Sequence, residues 1–383
     1  MTSTVPGRLR PMRARRADEP HRVATPLELF FDLCFVVAVA QAAALLHQSV
    51  AGHHVAHGLR SYLMVFFAIW WAWMNFTWFA SAYDTDDDLY RLVTMVQIAG
   101  VLVLAAGVGP AFTDGDYQVV TAGYVVMRLA LVTQWLRAAK ADAPRRRTAL
   151  RYATGVTVAQ GLWLLSLLAP HEWSLGVFLL LVVAELAVPV WAELAPGGPT
   201  TYHPHHIAER YGLFTLMVLG EAVAAATIAF RDGLDKTAQH PAGLLRLAVA
   251  AVVIVFALWW LYFDRPVRRR FASLRASLSW GYGHYCVFAA AAAAGAGLSV
   301  AVDRVTHPAD VTGRLAGYAI AVPVAVYLLA LWLLLIRPEE RGRHRLLLPG
   351  AALLTLVTPL LPVPIESLAA LLVALVTLRV AAR

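Results

Sequence analysis

The sequence is poor in charged residues and almost free of cysteine. Only 15% of its 383 residues are Asp, Glu, Lys or Arg, and its two cysteines, Cys34 and Cys286, both lie in apolar stretches. Two isolated thiols exclude a disulfide framework and a cysteine-based zinc motif. The sequence also lacks a Gly-rich phosphate loop, a Ser-centred nucleophile elbow and a His-Glu-x-x-His helix. We therefore predict no cofactor, and the sequence gives an enzyme no positive support.

Hydrophobic residues make up 60% of the chain, more than a soluble domain of this size needs. Runs of roughly 20 apolar residues, the length that crosses a bilayer, recur along the sequence. We predict an all-α integral membrane protein with about 12 transmembrane helices. The predicted spans are 26–47, 57–80, 89–110, 117–138, 150–169, 173–194, 207–230, 244–263, 277–299, 312–336, 346–361 and 363–380. The last two, broken by Pro362 and Pro364, are also compatible with one hairpin.

Basic residues are distributed unevenly between the predicted loops. If the N-terminus is inside, most of the 32 lysine and arginine residues fall in cytoplasmic segments. Positive charge concentrates on the cytoplasmic side of membrane proteins. We predict that both termini are cytoplasmic and that residues 1–24 form a basic, mobile tail. The same distribution explains the net charge of +8 without a nucleic-acid partner.

Several motifs occur twice in the same order, which indicates an internal duplication. The matching pairs are Glu28 with Glu209, 70–75 with 259–264, 122–124 with 316–318, and Glu172 with Glu366. We predict two parallel six-helix repeats, residues 25–198 and 199–383. Transporters built from repeats tend to place the substrate between them. The loops after the second and eighth spans, acidic at 84–88 and basic at 265–270, are predicted either to touch or to be separately solvated.

Glu28 and Asp32 are four residues apart in the first span and share one helix face. Carboxylates in a span are costly and usually face the protein interior or a wet cavity. For Glu28, a favourable interaction with the helix N-terminus is an equally good explanation. Asp32 lies ~9 Å further along the helix than Pro26, where that explanation is weaker.

Arg128 and Glu185 fall near the middles of the fourth and sixth spans, and the second half has no charged counterpart of either. Because unpaired charge there is expensive, we predict that they form an ion pair. The pair would act either as a structural link between helices or as an anion site or proton gate.

Glu221 lies ~18 Å along its helix from Glu209 and has no nearby cation in the sequence. Because desolvation disfavours the charged form, Glu221 is the best candidate for a proton-coupled group. His284 is either a titratable group or an ordinary interhelical hydrogen-bond partner. His203, His205 and His206 are weak metal candidates, because they offer imidazole ligands but no thiol or fixed spacing.

Three motifs resemble the bacterial low temperature requirement A family (LtrA). They are Thr25-Pro-Leu-Glu-Leu-Phe-Phe-Asp-Leu-Cys-Phe-Val36, His206-Ile-Ala-Glu-Arg-Tyr-Gly-Leu-Phe214 with Leu219-Gly-Glu221, and Trp259-Trp-Leu-Tyr-Phe-Asp264. The resemblance covers nearly the whole chain after the basic tail. It implies a bacterial multi-pass inner-membrane protein, in a family named for a growth phenotype in the cold. The family-motif positions are Glu28, Asp32, Glu209, Arg210, Glu221 and Asp264.

These features predict a secondary transporter, with or without proton coupling, of an unidentified small molecule or ion. Arg128 would attract an anionic group or pair with Glu185, while Glu221 and Asp32 would carry protons or cations. Two alternatives stay open: a membrane-embedded enzyme acting on a lipid or small metabolite, and a non-transporting membrane protein that supports growth in the cold. The lipid bilayer is the one partner predicted, and the sequence specifies no oligomeric state.

Overall fold

The computed structural model describes residues 9–16, 19, 22–170, 174–236, 241–264, 273–307, 309–338 and 342–381. These ranges contain twelve α-helices and no β-strand. The helices are α1 (Pro26–Ala51), α2 (Val55–Tyr83), α3 (Asp88–Thr113), α4 (Gln118–Ala141), α5 (Arg146–Ser166), α6 (Ser174–Glu193), α7 (Pro204–Lys236), α8 (Pro241–Phe263), α9 (Leu274–Thr306), α10 (Gly313–Leu331), α11 (Leu347–Thr355) and α12 (Pro364–Ala381). The predicted all-α fold is therefore confirmed for the described residues.

Local sequence signals mark where many of these helices begin. Proline is the first residue of α1, α7, α8 and α12, a position where its missing N–H is not needed and its fixed φ suits the helix. The side chain of Asp87 caps α3 by accepting the N–H of Tyr90 at 2.7 Å. Ser273 and Thr312 cap α9 and α10 in the same way.

Ten helices of the described chain are long and apolar enough to cross a membrane. Helix α6 shows the lipid-compatible surface clearly, since Leu180 and Val183 are 68% and 63% exposed. The protein is thus a multi-pass membrane protein. Two of the predicted spans, 150–169 and 346–361, are not among the ten, because α5 is too polar and α11 has only 9 residues.

The chain divides into two compact units. The first contains Met1–Ala38 and Met64–Tyr211, and the second contains Val39–Leu63 and Gly212–Arg383. The boundaries fall inside α1, α2 and α7, so the units are not simply the first and second halves of the sequence. The predicted sequence repeat is a separate matter and stays a prediction.

In the first unit, α3 and α4 approach closely because both carry glycine where they cross. A Cβ atom on Gly123 would lie 2.6 Å from the Gly100 carbonyl oxygen, and one on Gly100 would lie 2.9 Å from the Gly123 carbonyl oxygen. Neither position has room for a side chain. Small residues at such crossings let helix backbones pack directly in membranes.

In the second unit, α9 is the most buried long helix and also relies on small residues. A Cβ atom on Gly295 would lie 2.7 Å from the Cβ atom of Ala222 on α7. One on Gly297 would lie 2.6 Å from the carbonyl carbon of Ala319 on α10. The small side chains therefore fix how closely α7 and α10 pack against α9.

Candidate functional site

Glu28 belongs to a capping box that begins α1. The N–H of Thr25 donates to Glu28 Oε2 at 2.8 Å, and the N–H of Glu28 donates to Thr25 Oγ1 at 3.3 Å. This reciprocal pair satisfies two backbone N–H groups that the start of a helix leaves without intrahelical partners. The helix-start explanation for Glu28 is therefore present in the structure.

Arg210, on α7, joins Glu28 and Asp32 within the first unit. Its Nη1 lies 2.9 Å from Glu28 Oε1, and its Nε and Nη2 lie 3.0 and 2.5 Å from the two carboxylate oxygens of Asp32. Trp73 donates to Asp32 at 2.7 Å, and His206 Nε2 lies 3.2 Å from Glu28 Oε1. The bidentate pair with Arg210 fixes the Asp32 carboxylate in position. These contacts bind the start of α1 to the start of α7.

The N-terminal segment packs onto this cluster. Arg22 is 6% exposed, and its Nη2 lies 3.3 Å from Asp84 Oδ2 and 3.7 Å from Glu28 Oε1. Arg15 Nη1 lies 3.6 Å from Asp84 Oδ2, and the Arg15 N–H donates to the Ala82 carbonyl. The described residues of this segment thus make specific contacts with the first unit, and the predicted mobility of the tail stays a prediction. Buried carboxylates near the ends of α1 and α2 provide the arginines with partners.

The two aspartates of the loop between α2 and α3 have opposite electrostatic environments. Burial raises the pKa of Asp84 to about 6; the charge of Glu28 adds to the rise, and Arg22 and Arg15 oppose it. Burial also acts on Asp87, but N–H groups of Arg10 and Tyr90 and the Arg137 guanidinium outweigh it and lower the pKa of Asp87. The basic loop at 265–270 lies outside the described residues, so its contact with this loop stays a prediction.

Glu185 is the acceptor at the centre of a second cluster in the first unit. Its donors are Trp71 at 2.9 Å, Tyr124 at 2.9 Å, Arg128 at 3.0 Å, Gln160 at 3.2 Å and Trp163 at 3.2 Å. The predicted ion pair with Arg128 is confirmed, and both side chains are buried. Donors from α2, α4 and α5 thus converge on one carboxylate and join these helices to α6.

Glu221 lies in the wall of a cavity of about 570 Å³ in the second unit. The polar side chains that share the cavity are Gln41, His47, Asp232, Ser299, Asp303, Thr306 and His307. His47 Nε2 lies 2.5 Å from Asp303 Oδ2. Glu221 is half-buried and has no hydrogen bond or ion pair with any described residue. Among the described residues, Glu221 is the one predicted mid-span carboxylate that lines a cavity and has no hydrogen-bond or ion-pair partner.

Two other predicted site residues have structural partners in the second unit. Asp264 Oδ2 lies 2.9 Å from Arg379 Nη2, and both side chains are 3% exposed, so this pair joins the ends of α8 and α12. His284 is buried, with Nδ1 2.7 Å from the Trp280 carbonyl and Nε2 3.1 Å from the Tyr262 hydroxyl. His284 thus makes the interhelical hydrogen bond that was the simpler of its two predicted roles.

The histidines at the start of α7 make hydrogen bonds within the protein. His203 Nε2 lies 3.0 Å from the Glu19 carbonyl, and His203 Nδ1 accepts the N–H of His206 at 3.2 Å. The ring of His205 lies 6.4 Å from that of His203, and Glu209 accepts the backbone N–H of Ala24. In the described ranges, no group of three or more His, Cys, Asp or Glu side chains could hold a metal ion.

The sequence matches one family model over almost its whole length. Residues 23–382 match the model of the bacterial low temperature requirement A protein (LtrA). The chain belongs to the LtrA family. It is also similar to the uncharacterized protein RA0937 of Rhizobium meliloti (strain 1021), with 25% identity over 249 residues that cover 63% of this chain. The chain spans 58% of the length of that relative.

The motif positions of this LtrA protein occupy three places in the structure. Glu28, Asp32 and Arg210 form one buried cluster in the first unit. Glu221 lines the second-unit cavity, and Asp264 pairs with Arg379. Of the six motif positions, Glu28, Asp32 and Arg210 therefore meet in the first unit, where Glu209 accepts the Ala24 N–H, whereas Glu221 and Asp264 belong to separate environments.

The LtrA sequence alone did not identify the neutral donors around Glu185 or the hydrogen-bonded pair of His47 and Asp303. A tryptophan within a span looks like a core or lipid-facing residue until its indole N–H is placed beside an acceptor. His47 and Asp303 are near the ends of their helices, where a charged residue is ordinarily assigned to the membrane surface. The one available signal was Asp303 itself, a carboxylate inside the last turn of a long apolar helix.

Proposed function

We propose that the protein is a secondary transporter that couples the movement of a small molecule or ion to proton movement through Glu221. The observation that carries this proposal is that Glu221 lines a cavity in the second unit whose wall also carries other polar and ionisable side chains. A cavity of about 570 Å³ is within the range that holds a small ligand. Ionisable residues in membrane spans that face such cavities commonly mark ion or substrate pathways.

The bonding of the other carboxylates supports Glu221 as the proton-carrying group. Asp32 and Glu185 each have an arginine partner, and releasing either would leave a buried charge unpaired. Glu221 has no such partner among the described residues, so its protonation does not require an ion pair to break. Asp232 and Asp303 also contribute negative charge to the cavity wall, which favours a proton or a cation as the coupled species.

The His47–Asp303 pair supports Glu221 as a proton-exchanging group, because it lies in the wall of the same cavity. Both side chains line the same cavity as Glu221 and are partly exposed, at 25% and 30%. Imidazole is the side chain whose ordinary titration range lies nearest neutral pH. In this proposal, a proton leaving Glu221 passes to this pair within the same cavity.

Contacts within the first unit support α5 as a further span. Thr148, at the start of α5, donates to the carbonyl of Gly198, just beyond the end of α6. The two helices therefore run in opposite directions, and the 21 residues of α5 reach ~31 Å. Leu165 is 62% exposed on its surface, as a lipid-facing residue would be.

Contacts within the second unit support the region of α11 as a further span, the eleventh in chain order. The Asp264–Arg379 pair brings the end of α8 and the end of α12 to the same side. A chain must cross an even number of times between these points, whereas α9, α10 and α12 supply only three crossings. The apolar segment His344–Leu360 would supply the fourth. We propose twelve spans in two parallel six-helix repeats, with both termini on the cytoplasmic side of the inner membrane.

One observation favours a second candidate function, a non-transporting membrane protein that supports growth in the cold. The clusters around Arg210 and Glu185 are tightly packed ion pairs that join helices. If the only role of the ionisable residues is to join helices, neutralising Glu221 leaves the protein's activity in cells unchanged.

The decisive experiment measures proton flux in proteoliposomes that contain a pH-sensitive dye. A fractionated metabolite extract of the source bacterium is added outside, so that no substrate class is assumed. We expect wild-type protein to give an extract-dependent pH change, Glu221→Gln to abolish it, and the control Glu366→Gln to retain it. Flux equal to that of protein-free liposomes, or unaltered flux in Glu221→Gln, would contradict the proposal.

A further inference from the structure

The first unit contains a separate cavity of about 360 Å³. Residues of α2, the loop between α3 and α4, and helices α4, α5 and α6 form its wall. All of these belong to the first unit, whereas the cavity around Glu221 belongs to the second. Its volume is at the lower end of the range for small-ligand sites.

Aromatic side chains line much of this cavity. Phe67 and Phe178 meet edge to face with ring centroids 6.0 Å apart, and Phe178 meets Trp163 at 5.5 Å. Trp163 in turn meets Tyr124 edge to face at 6.2 Å. The four rings thus form a continuous series along the wall, each held by its neighbour.

The polar atoms of two of these rings are already engaged. The Tyr124 hydroxyl and the Trp163 indole N–H both donate to Glu185 Oε1. These two residues therefore offer a ligand ring surface rather than a hydrogen bond. Because the Glu185 cluster fixes both rings, the aromatic wall is organised before any ligand arrives.

Two carboxylates lie at the loop side of the cavity. Asp114 accepts the Thr113 hydroxyl at 2.9 Å, and Asp116 accepts the Gln118 N–H at 2.9 Å. Neither has an ion-pair partner in the described parts of the chain, and the described lining contains no lysine or arginine. The Thr121 hydroxyl also lines the cavity, and this residue is 7% exposed.

We propose that this cavity binds a small organic monocation, an alkylammonium compound with an apolar body. A positive charge is attracted to aromatic ring faces and, at longer range, to unpaired carboxylates. The described lining has no lysine or arginine for an anion, and in the described chain no group of three or more His, Cys, Asp or Glu side chains could hold a metal ion. The inference does not depend on transport, since it concerns a cavity in the other unit.

Isothermal titration of purified protein in a maltoside detergent, free of choline lipids, tests this proposal. Choline is the probe, and 3,3-dimethylbutan-1-ol is its neutral isostere of nearly the same shape. We expect choline to bind with a Kd below about 10 mM. The isostere should bind at least about tenfold more weakly. Equal affinity for the two compounds would show an apolar pocket without charge selectivity and would overturn the proposal.

Two sets of variants locate the binding. Phe178→Leu removes a wall ring that makes no polar contact, and should weaken choline binding about 3- to 10-fold. The double variant Asp114→Asn, Asp116→Asn should weaken it about 2- to 5-fold at low salt, with a smaller effect at high salt. Phe256→Leu and Asp310→Asn, on exposed surfaces of the second unit, are the matched controls.

Thermal unfolding without ligand shows whether each variant is folded. A folding defect in one set of variants leaves the other set usable as a test. If Phe178→Leu unfolds, the double aspartate variant, which leaves the helices intact, still tests the site. No choline binding by folded wild-type protein, or unchanged affinity in a folded variant of either set, would overturn the proposal.

Discussion

At the scale of single residues, the ionisable groups of this protein differ chiefly in whether they have a partner. Asp32 and Glu185 are buried with an arginine each, and removing one member of such a pair typically costs about 3–5 kcal/mol. Glu221 lines a cavity and has no bound partner in the described chain. The former residues join helices, whereas the latter makes no such link among the described residues.

At the residue scale, the buried carboxyl of Asp84 is expected to make the stability of the protein depend on pH. Its folded-state pKa of about 6 lies above the ordinary value of 3.8 for an aspartate, so between these values the folded protein binds more protons than the unfolded chain. Stability from this residue is therefore fully present below about pH 3.8 and is lost as the pH rises through about 6. We expect the Tm of wild-type protein to fall between pH 5 and pH 7.5, and Asp84→Asn to reduce that fall.

The measurement is thermal unfolding in detergent at a series of pH values, taken as the difference between wild type and variant. Histidines also titrate in this window, so the difference isolates Asp84. Asp88→Asn, an exposed aspartate in the first turn of α3, should keep the wild-type slope. An identical slope in wild type and Asp84→Asn would show that Asp84 is ionised throughout this range.

At the scale of secondary-structure elements, helix crossings without room for a Cβ atom set the packing. Gly100 and Gly123 lie face to face between α3 and α4, and Gly295 lies against Ala222 between α9 and α7. The Ala222 contact is next to Glu221 in sequence, so the same close approach that joins α7 to α9 also positions the cavity carboxylate. The packing of α7 against α9 and the position of Glu221 in the cavity wall are thus linked.

Gly123→Ala should destabilise the protein because its Cβ atom would meet the backbone of α3, which has no flexible side-chain end to move aside. We expect a loss of about 1–3 kcal/mol, the usual cost of overpacking, seen as a lower Tm. Gly109→Ala on α3 is the matched control, since nothing lies within 4 Å of its Cβ position. The control should be neutral or gain up to about 1 kcal/mol. Equal effects of the two substitutions would mean that the crossing tolerates a methyl group.

At the scale of the whole molecule, the proposed twelve-span topology depends on α5 and the region of α11. Substituted cysteines in intact cells test both, in a background carrying Cys34→Ser and Cys286→Ala. We expect Pro170→Cys and Leu361→Cys to react with a membrane-impermeant maleimide. Arg145→Cys and Arg345→Cys should react only after permeabilisation, because α5 and the α11 region would separate them from the outside.

The four positions also distinguish the alternatives. If Arg145→Cys and Pro170→Cys react alike, α5 does not cross. If Arg345→Cys and Leu361→Cys react alike, the last two segments form the single hairpin that the prolines near residue 362 allow. Arg60→Cys, in the helix α2 that begins on the outer side in this topology, reports labelling efficiency.

The sequence alone predicted the parts of this protein that depend on local composition. The helical membrane fold and the family followed from apolar runs and short motifs. Ten of the predicted spans agree with helices that are long and apolar enough to cross a membrane. The Arg128–Glu185 pair also followed, because opposite charges in the middles of two apolar spans have few other partners. The contacts of Arg15 and Arg22 did not follow, since their carboxylate partner Asp84 lies far away in the sequence.

Only the tertiary structure decided which polar side chains of the described chain have a hydrogen-bond or ion-pair partner and which line a cavity without one. Three sets of contacts depend on how distant helices pack. Arg210 contacts both Glu28 and Asp32, and Glu185 has four neutral donors besides Arg128. His47 lies against Asp303. Sequence spacing fixes neighbours within one helix, but contacts between helices depend on their rotation and on close crossings such as Gly100–Gly123. The cavities arise from the same packing, and no local pattern in the chain encodes an empty volume.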